Sequence, residues 1–188
     1  MLAFARAFGN TPNAKLLFKT NDSAAHEREH LHLKALAKEL GIEQRFTTID
    51  NYLPTSDIYG LTAACDVYLS LHRGEGFGLG VAEAMSLGKP VVVTDYSSTT
   101  EFCKSDNAIL VPYHIVDVPR GACDNPCYAR VKTWAEPDID AAAAALRDLY
   151  DHPEKRQQLG ESARQFITDY FSVESFKRSI NKFLDTAK

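Results

Sequence analysis

The sequence predicts an α/β domain built on a parallel sheet that helices cover on both faces. Short apolar runs alternate along the chain with longer amphipathic segments, which is the pattern of parallel strands joined by crossover helices. A second observation is a glycine-rich turn at residues 72–80, which separates an apolar run from an apolar helix. The length of 188 residues and the 45% hydrophobic content suit one globular domain.

The elements follow in chain order from hydrophobic periodicity and from helix-stopping residues. Residues 1–8 have helical spacing without a strand before them, Gly41 stops the next helix, and Pro90 opens an apolar strand. The predicted helices are 1–8, 25–40, 56–64, 79–87, 139–150, 153–170 and 173–187, and the predicted strands are 15–20, 45–49, 66–71, 91–94 and 107–111. Residues 112–137 show no clear pattern. They are predicted to form a long loop whose middle, 120–130, orders only against a partner, with Trp134 and Pro137 fixed at its base.

Charge and cysteine content exclude several classes of protein. The net charge of −4 and the absence of a basic run give no support to nucleic-acid binding. No apolar run is long enough to span a bilayer, and the N-terminus lacks the pattern of a signal peptide. Four cysteines are too few to staple a chain of this length, so we expect a cytoplasmic protein with reduced thiols.

Polar residues follow the strands at their carboxyl ends, where open parallel sheets bind ligands. Lys19, the loop 72–80, residues 95–100 and the segment after Pro112 should therefore face one crevice. Glycines in front of a helix N-terminus make an anion site, because unpaired N–H groups point at the ligand. Glu83 lies in a helix that is apolar on nearly all sides and is predicted to be buried, where a carboxylate needs a partner such as a vicinal diol.

Other phosphate and metal motifs fit poorly. The glycines miss the dinucleotide spacing G-x-G-x-x-G, although Asp95 imitates its acidic residue, and Gly88-Lys89 continues into proline rather than the Ser/Thr of a P-loop. Residues 26–30 spell H-E-x-x-H, the zinc protease string, but this charged segment is better read as a solvated helical turn. Two loop cysteines with one histidine are too few ligands for a structural zinc site; they are Cys123, Cys127 and His114.

The string E-G-F-G-L-G-V-A-E from Glu75 to Glu83, followed by A-M-S-L-G-K-P-V-V-V-T, resembles the E-x7-E signature of the retaining nucleotide-sugar glycosyltransferases of family 4. The segments L-L-F-K-T at 16–20, A-A-C-D-V-Y-L-S-L-H-R at 63–73 and W-A-E-P-D at 134–138 are similar to family members as well. The resemblance implies a GT-B fold. Residues 1–188 would be its Rossmann-like C-terminal, donor-binding half, without the N-terminal acceptor domain.

The resemblance also implies a role for each matching residue. The Glu83 carboxylate would hold the ribose diol, Glu75 would contact the donor sugar, and Lys19 would neutralise the diphosphate. The backbone N–H groups of the loop would meet the sugar and diphosphate; they belong to Gly76, Phe77, Gly78 and Leu79. Arg73 is expected to help neutralise the phosphates, and His72 is equally a candidate for substrate contact and for simple loop exposure. Tyr52 and Leu53 are candidates for reading the base.

The predicted function is binding of a UDP- or GDP-sugar donor for transfer of a hexose, as a mannosyltransferase does, to a saccharide or lipid-linked acceptor held by the missing domain. No metal or other cofactor is expected, because the cation and the helix N-terminus stabilise the leaving diphosphate. We expect the isolated chain to be inactive. Two alternatives stay open, a nucleotide-diphosphate-binding module without activity of its own and a GT-B nucleotide-sugar epimerase.

Overall fold

A computed structural model of the chain describes residues 1–20, 27–119 and 131–186. The α-helices in these ranges are α1 (Leu2–Phe8), α2 (Glu27–Glu39), α3 (Thr55–Ala64), α4 (Leu79–Ser86), α5 (Ile139–Asp151), α6 (Pro153–Tyr170) and α7 (Val173–Thr186). The strands are β1 (Leu16–Lys19), β2 (Phe46–Ile49), β3 (Tyr68–Ser70), β4 (Val91–Thr94), β5 (Ile109–Val111), β6 (Tyr113–Asp117) and β7 (Thr133–Pro137). Short 3-10 turns cover Glu43–Arg45 and Ser97–Glu101.

The α/β class with parallel strands is confirmed. Strands β1 and β2 form one parallel pair, and β3, β4 and β5 form a second parallel sheet in that order. Helices α2 and α4 each connect two strands that pair in parallel, as crossover helices do, and α3 leads from the first sheet to the second. The two sheets share one apolar core, to which β1 contributes Leu16 and β3 contributes Leu69, together with helices α1 and α5.

Strand β4 lies at the centre of the described core, and all four of its residues are buried. One side of it packs against the α1–α5 layer through Val92. The other side packs against α4 and α6 through Val91 and Val93. Helix α5 begins with a side-chain cap, because the Asp138 carboxylate accepts hydrogen bonds from the first turn. The result is a helix–sheet–helix arrangement that directs the carboxyl ends of β3, β4 and β5 to the same edge.

The long irregular loop predicted for residues 112–137 is wrong in part. Its two ends form an antiparallel pair, β6 with β7, in which Tyr113 faces Pro137 and Val116 faces Trp134. The pattern is weak because the apolar residues of β6, Ile115 and Val116, are adjacent and exposed rather than alternating with polar residues as in a half-buried strand. Consequently 107–111 is not the last strand. Trp134 is half-buried and Pro137 is buried at the base of this hairpin, while the predicted ordering of residues 120–130 lies outside the described residues.

Candidate donor-binding site

The glycine-rich loop connects β3 to α4 and ends in a left-handed residue, Gly78, with φ +90°. A side chain at Gly78 would place its Cβ 2.5 Å from the Thr99 methyl group, so the position requires glycine for space as well as for conformation. Among the described residues no side chain caps α4, and its first intrahelical bond runs from the Ala82 N–H to the Gly78 carbonyl. The N–H groups of residues 79–81 are therefore free to meet an anion.

The backbone of Glu75 is held by two serines from the turn after β4. The Ser97 hydroxyl donates to the Glu75 carbonyl at 2.7 Å and the Ser98 hydroxyl donates to it at 3.0 Å. Ser97 adopts φ +68°, an unfavourable conformation for a residue with a side chain, which is typical of a functional turn. The Glu75 carboxylate lies beside its own loop, where it accepts the Gly76 N–H at 3.0 Å.

Glu83 lies one turn further along α4 and meets α3. The Tyr59 hydroxyl donates to Glu83 Oε1 at 3.3 Å, and the charge of Glu83, followed by this hydrogen bond, raises the pKa of Tyr59. Burial raises the pKa of Tyr68, and the charges of Glu83 and then Glu75 raise it further. Both carboxylates therefore lie close enough to the Tyr68 hydroxyl to act on it, which brings them to one edge of the sheet.

The prediction that α4 is buried on nearly all sides needs correction. Val81, Ala82, Ala84 and Met85 are buried, but Leu79 is 65% exposed and Glu83 is only half-buried. The physical reason is that α4 packs on β4 and α6 with one face, whereas Leu79 and Glu83 lie on the face outside that apolar cluster. A carboxylate at Glu83 keeps access to water and to a ligand, so it needs no buried counter-charge.

His72 connects the loop to the neighbouring strand end rather than lying free. Its Nε2 is 2.8 Å from the Tyr96 carbonyl, and its Nδ1 is 3.2 Å from the Ser70 hydroxyl. A carbonyl can only accept, so Nε2 donates in the first contact. His72 thereby ties β3, the glycine loop and the turn after β4 together.

Arg73 is predicted to help neutralise donor phosphates, but the structure engages it elsewhere. Its guanidinium makes two hydrogen bonds to the Glu136 carboxylate, from Nε at 2.6 Å and from one terminal nitrogen at 2.8 Å. The same group lies over the Trp134 ring, 4.6 Å from its centroid, and the Arg73 carbonyl accepts the Ala135 N–H at 3.2 Å. These contacts anchor the loop to β7, and the predicted contact of Arg73 with donor phosphates stays a prediction.

The remaining predicted residues are spread around the carboxyl ends of the strands. Lys19 ends β1, and its ammonium group donates to the Thr20 carbonyl. Phe77 is 44% exposed and rests on the rings of Phe102 and Phe171. Tyr52 is 91% exposed, and Leu53 beside it is half-buried in the segment that leads into α3. Their proposed contacts with a donor stay predictions.

Of the four strand ends predicted to face one crevice, the loops after β3 and β4 meet through Ser97 and Ser98, and the place of Lys19 in that crevice stays a prediction. Several partners of these loops were missed. The Tyr59 hydroxyl donates to the Glu83 carboxylate, the Ser97 and Ser98 hydroxyls donate to the Glu75 carbonyl, and the Tyr68 hydroxyl lies against Gly80. The two serines could have been found, since residues 95–100 follow a strand end. The tyrosines could not, because a hydroxyl on a helix or strand has no sequence signal for the direction in which it points.

The described residues contain neither a cluster of metal-ligating side chains nor a membrane-spanning helix. Residues 1–20, 27–119 and 131–186 contain no group of three or more potential metal-ligating side chains. Cys123 and Cys127, as well as His26 of the H-E-x-x-H string, lie outside the described residues. No helix in the described part has the length and apolar character that crossing a bilayer requires.

Comparison with known proteins agrees with this geometry. Residues 3–117, more than half of the chain, match the family model "Glycosyl transferases group 1". A curated relative, the MMP alpha-(1->4)-mannosyltransferase of Mycolicibacterium hassiacum, is 30% identical over 140 residues, which are 74% of this chain and 29% of that protein. The chain spans about a third of the length of the two curated relatives it matches, 29% and 37%.

Solved structures share the fold at lower identity. Anabaena HepE in complex with UDP and glucose superposes with a TM-score of 0.69 at 20% identity, over 98% of this chain and 44% of that one. The C-terminal domain of a glycosyl transferase group 1 family protein from Francisella tularensis gives a TM-score of 0.67 at 17% identity, over 92% of this chain and 77% of that one. The fold is therefore that of the C-terminal half of a GT-B glycosyltransferase.

Proposed function

The chain belongs to the glycosyl transferases group 1 family, and from this premise we propose that residues 1–188 form the donor-binding half of a retaining, family 4 glycosyltransferase. The donor is a UDP- or GDP-sugar, and the group transferred is a hexose. Two relatives support this choice of substrate class, the mannosyltransferase of Mycolicibacterium hassiacum and the HepE structure with UDP and glucose.

The observation that carries the proposal is the pair of carboxylates on either side of an uncapped helix N-terminus. Glu75 precedes α4 and accepts the Gly76 N–H at 3.0 Å, and Glu83 lies within α4 and accepts the Tyr59 hydroxyl at 3.3 Å. The free N–H groups at residues 79–81 suit a diphosphate, because the helix dipole favours negative charge there. On one side of that diphosphate the half-buried Glu83 can accept two ribose hydroxyls. On the other side Glu75 can contact the sugar.

The chemical step breaks the bond between the anomeric carbon and the diphosphate. Negative charge builds on the leaving nucleoside diphosphate, and preorganised donors stabilise it without reorganisation cost. In our proposal these donors are the α4 N-terminus and Lys19, and no metal ion takes part. Arg73 is assigned to positioning the loop, since its guanidinium is paired with Glu136.

Acceptor binding requires surfaces that this chain does not supply in our proposal. Helix α7 exposes a row of large apolar side chains, including Val173 at 62%, Phe176 at 67% and Leu184 at 54%. Such a patch is a usual feature of a domain interface, which supports a second, acceptor-binding domain for a saccharide or lipid-linked acceptor. Holding the acceptor hydroxyl against the anomeric carbon is a large part of catalysis, so the chain alone should not turn over.

The free thiols of Cys65 and Cys103 are in keeping with a cytoplasmic location.

Calorimetry tests the proposal most directly. The 188-residue chain is titrated with UDP and with GDP in buffer containing EDTA. We expect binding of at least one nucleotide with a Kd of about 1 mM or tighter, roughly −4 kcal/mol or better. Glu83→Ala should abolish the heat, and the exposed Glu39→Ala on α2 should leave it unchanged. If neither nucleotide gives heat, the donor-binding assignment is wrong.

A product test addresses the finer claims. A longer polypeptide that contains these residues is supplied with the sugar nucleotide and an acceptor, and the anomeric configuration of the product is read by NMR. Retention of the donor configuration supports the retaining mechanism. Inversion would rule out the retaining mechanism but would leave the donor-binding assignment intact.

A further inference from the structure

The Glu83 carboxylate is held by a side chain from the neighbouring helix, Tyr59 of α3. The Tyr59 hydroxyl donates to Glu83 Oε1 at 3.3 Å. Within residues 1–20, 27–119 and 131–186 the structure gives the Glu83 side chain no ion pair and no other hydrogen bond. A neutral donor therefore fixes this carboxylate, and in the described part of the chain no cation neutralises its charge.

A second tyrosine lies on the same face of α4 without making this contact. Tyr68 of β3 packs against the apolar cluster of α4, and its hydroxyl lies against Gly80. Gly80 and Glu83 are three residues apart on the helix and therefore share a face. The structure gives the Tyr68 hydroxyl no hydrogen bond to Glu83, so among the described residues Tyr59 is the one that orients the carboxylate.

The contact leaves most of the carboxylate available to a ligand. An ionised carboxylate has two oxygens with about four lone-pair sites, and Tyr59 uses one of them on Oε1. Glu83 is half-buried and Tyr59 is 40% exposed, so both can be reached from solvent. Leu79, one helical turn before Glu83, is 65% exposed and leaves the same face of α4 open. Oε2 is therefore free to accept hydroxyl groups from a ligand.

The donor hydroxyl of Tyr59 persists at neutral pH. The charge of Glu83, followed by the hydrogen bond, raises the pKa of Tyr59 above its usual value, which already lies well above neutrality. The phenol thus stays protonated wherever the carboxylate is ionised. Because Tyr59 belongs to a different helix, its hydroxyl restricts the rotation of a long, otherwise flexible side chain, and a restricted side chain loses less freedom when a ligand binds.

We propose that Tyr59 is a positioning residue for donor selection, which holds the Glu83 carboxylate in the orientation that accepts both hydroxyls of a ribose and so favours ribonucleoside over 2′-deoxyribonucleoside diphosphate donors. The inference rests on the proposed function, in which Glu83 accepts the ribose diol. A carboxylate that rotates freely can follow whichever hydroxyl remains on the sugar. A fixed carboxylate instead leaves part of its acceptor capacity unused when one hydroxyl is missing, and the discrimination follows from that difference.

The test compares ribose and 2′-deoxyribose ligands on the 188-residue chain. UDP with 2′-deoxy-UDP forms one pair and GDP with 2′-deoxy-GDP forms the other, and dissociation constants are measured by NMR titration in buffer containing EDTA. The variants are Tyr59→Phe and Glu83→Gln, singly and together. Tyr150→Phe is the matched control, because it removes the same hydroxyl from a ring that packs on Phe8 and under Arg147. Circular dichroism checks that each variant is folded.

The parent chain and Tyr150→Phe should bind the ribose ligand of at least one pair about tenfold or more tightly than its 2′-deoxy partner, because a hydrogen bond to a charged group is lost. Tyr59→Phe should weaken binding of the ribose ligand about three- to tenfold and weaken the 2′-deoxy ligand less, so that the ratio of the two constants falls. In the Glu83→Gln background Tyr59→Phe should leave that ratio unchanged.

The outcomes separate this inference from the donor assignment. If the parent discriminates and Tyr59→Phe discriminates as strongly, the role of Tyr59 is wrong and the donor assignment stands. An equal loss of affinity for both ligands in Tyr59→Phe also overturns the role, since the hydroxyl would then only support the structure. A change in ratio that persists in Glu83→Gln contradicts action through that carboxylate.

Two results on the parent chain reach further. Equal affinity for the ribose and 2′-deoxyribose ligands of both pairs removes the diol role of Glu83 and, with it, the role of Tyr59. Absence of binding to all four nucleotides removes the donor assignment itself and the inference that rests on it.

Discussion

Replacing Gly78 by alanine tests whether the loop before α4 is held by its left-handed conformation and by close packing. A left-handed residue with a side chain costs about 1–2 kcal/mol. The new Cβ would lie 2.5 Å from the Thr99 methyl group, and such overpacking costs about 1–3 kcal/mol. The expected loss in free energy of unfolding is therefore about 2–5 kcal/mol. Gly76→Ala is the matched control, because Gly76 has no positive φ and a Cβ added there would meet no described atom within 4 Å.

Urea denaturation followed by circular dichroism measures the effect. With an m value of about 2 kcal/mol/M, a loss of about 3 kcal/mol lowers the midpoint by about 1.5 M. Thr99→Ser removes the clashing methyl group and keeps the hydroxyl that donates to the Tyr96 carbonyl at 3.2 Å. In the double variant the steric part should disappear and the conformational part should remain, a coupling of about 1–3 kcal/mol. If Gly78→Ala is as stable as Gly76→Ala, the account of this loop is wrong.

Three further predictions concern the two carboxylates and the Arg73 anchor. Glu83→Ala should lose nucleotide affinity in calorimetry, whereas Glu75→Ala should retain most of it and lose turnover in the longer enzyme; equal losses of affinity would refute this division. Arg73→Ala should change the fluorescence of Trp134, the single tryptophan, because the guanidinium lies over its ring, and Arg73→Lys should restore the emission only in part. The hydrogen bonds from Arg73 lower the pKa of Glu136, so their stabilisation is present above the ordinary carboxyl pKa and fades as pH falls through the lowered value. Glu136→Gln should accordingly be less stable than the parent at pH 7 and equal to it in acid, and a constant difference at all pH values would contradict the pairing.

The elements that depend on local chemistry were readable from the sequence. Helix α4 begins directly after Gly78, because a glycine there allows the left-handed turn, and Gly80 in its first turn allows the close approach of Tyr68. The parallel class followed from strands alternating with helices, and the convergence of loops 72–80 and 95–100 followed from the rule that parallel strands end at one edge. These features depend on short stretches of chain or on the order in which the stretches follow one another.

Contacts between distant residues were decided only by the tertiary structure. Arg73 has the same sequence neighbourhood whether it meets a phosphate or Glu136, and the choice depends on where β7 lies, 63 residues further along the chain. Tyr59 reaches Glu83 because α3 and α4 pack side by side, and its own helix gives no sign of this. The pairing of β6 with β7 was missed for the same reason, since it depends on backbone hydrogen bonds between two segments that lie apart in the sequence.

The pairing of β1 with β2, and of β3 with β4, is a further case of this division. The sequence determined that these segments form strands, because their apolar side chains and short length satisfy the local conditions for an extended chain. Which strand lies beside which is a matter of hydrogen bonds between separate segments, and the backbone groups that make them are the same in every residue. A sequence pattern therefore specifies strands and helices, whereas the neighbour of each strand is decided only when all of them are packed together.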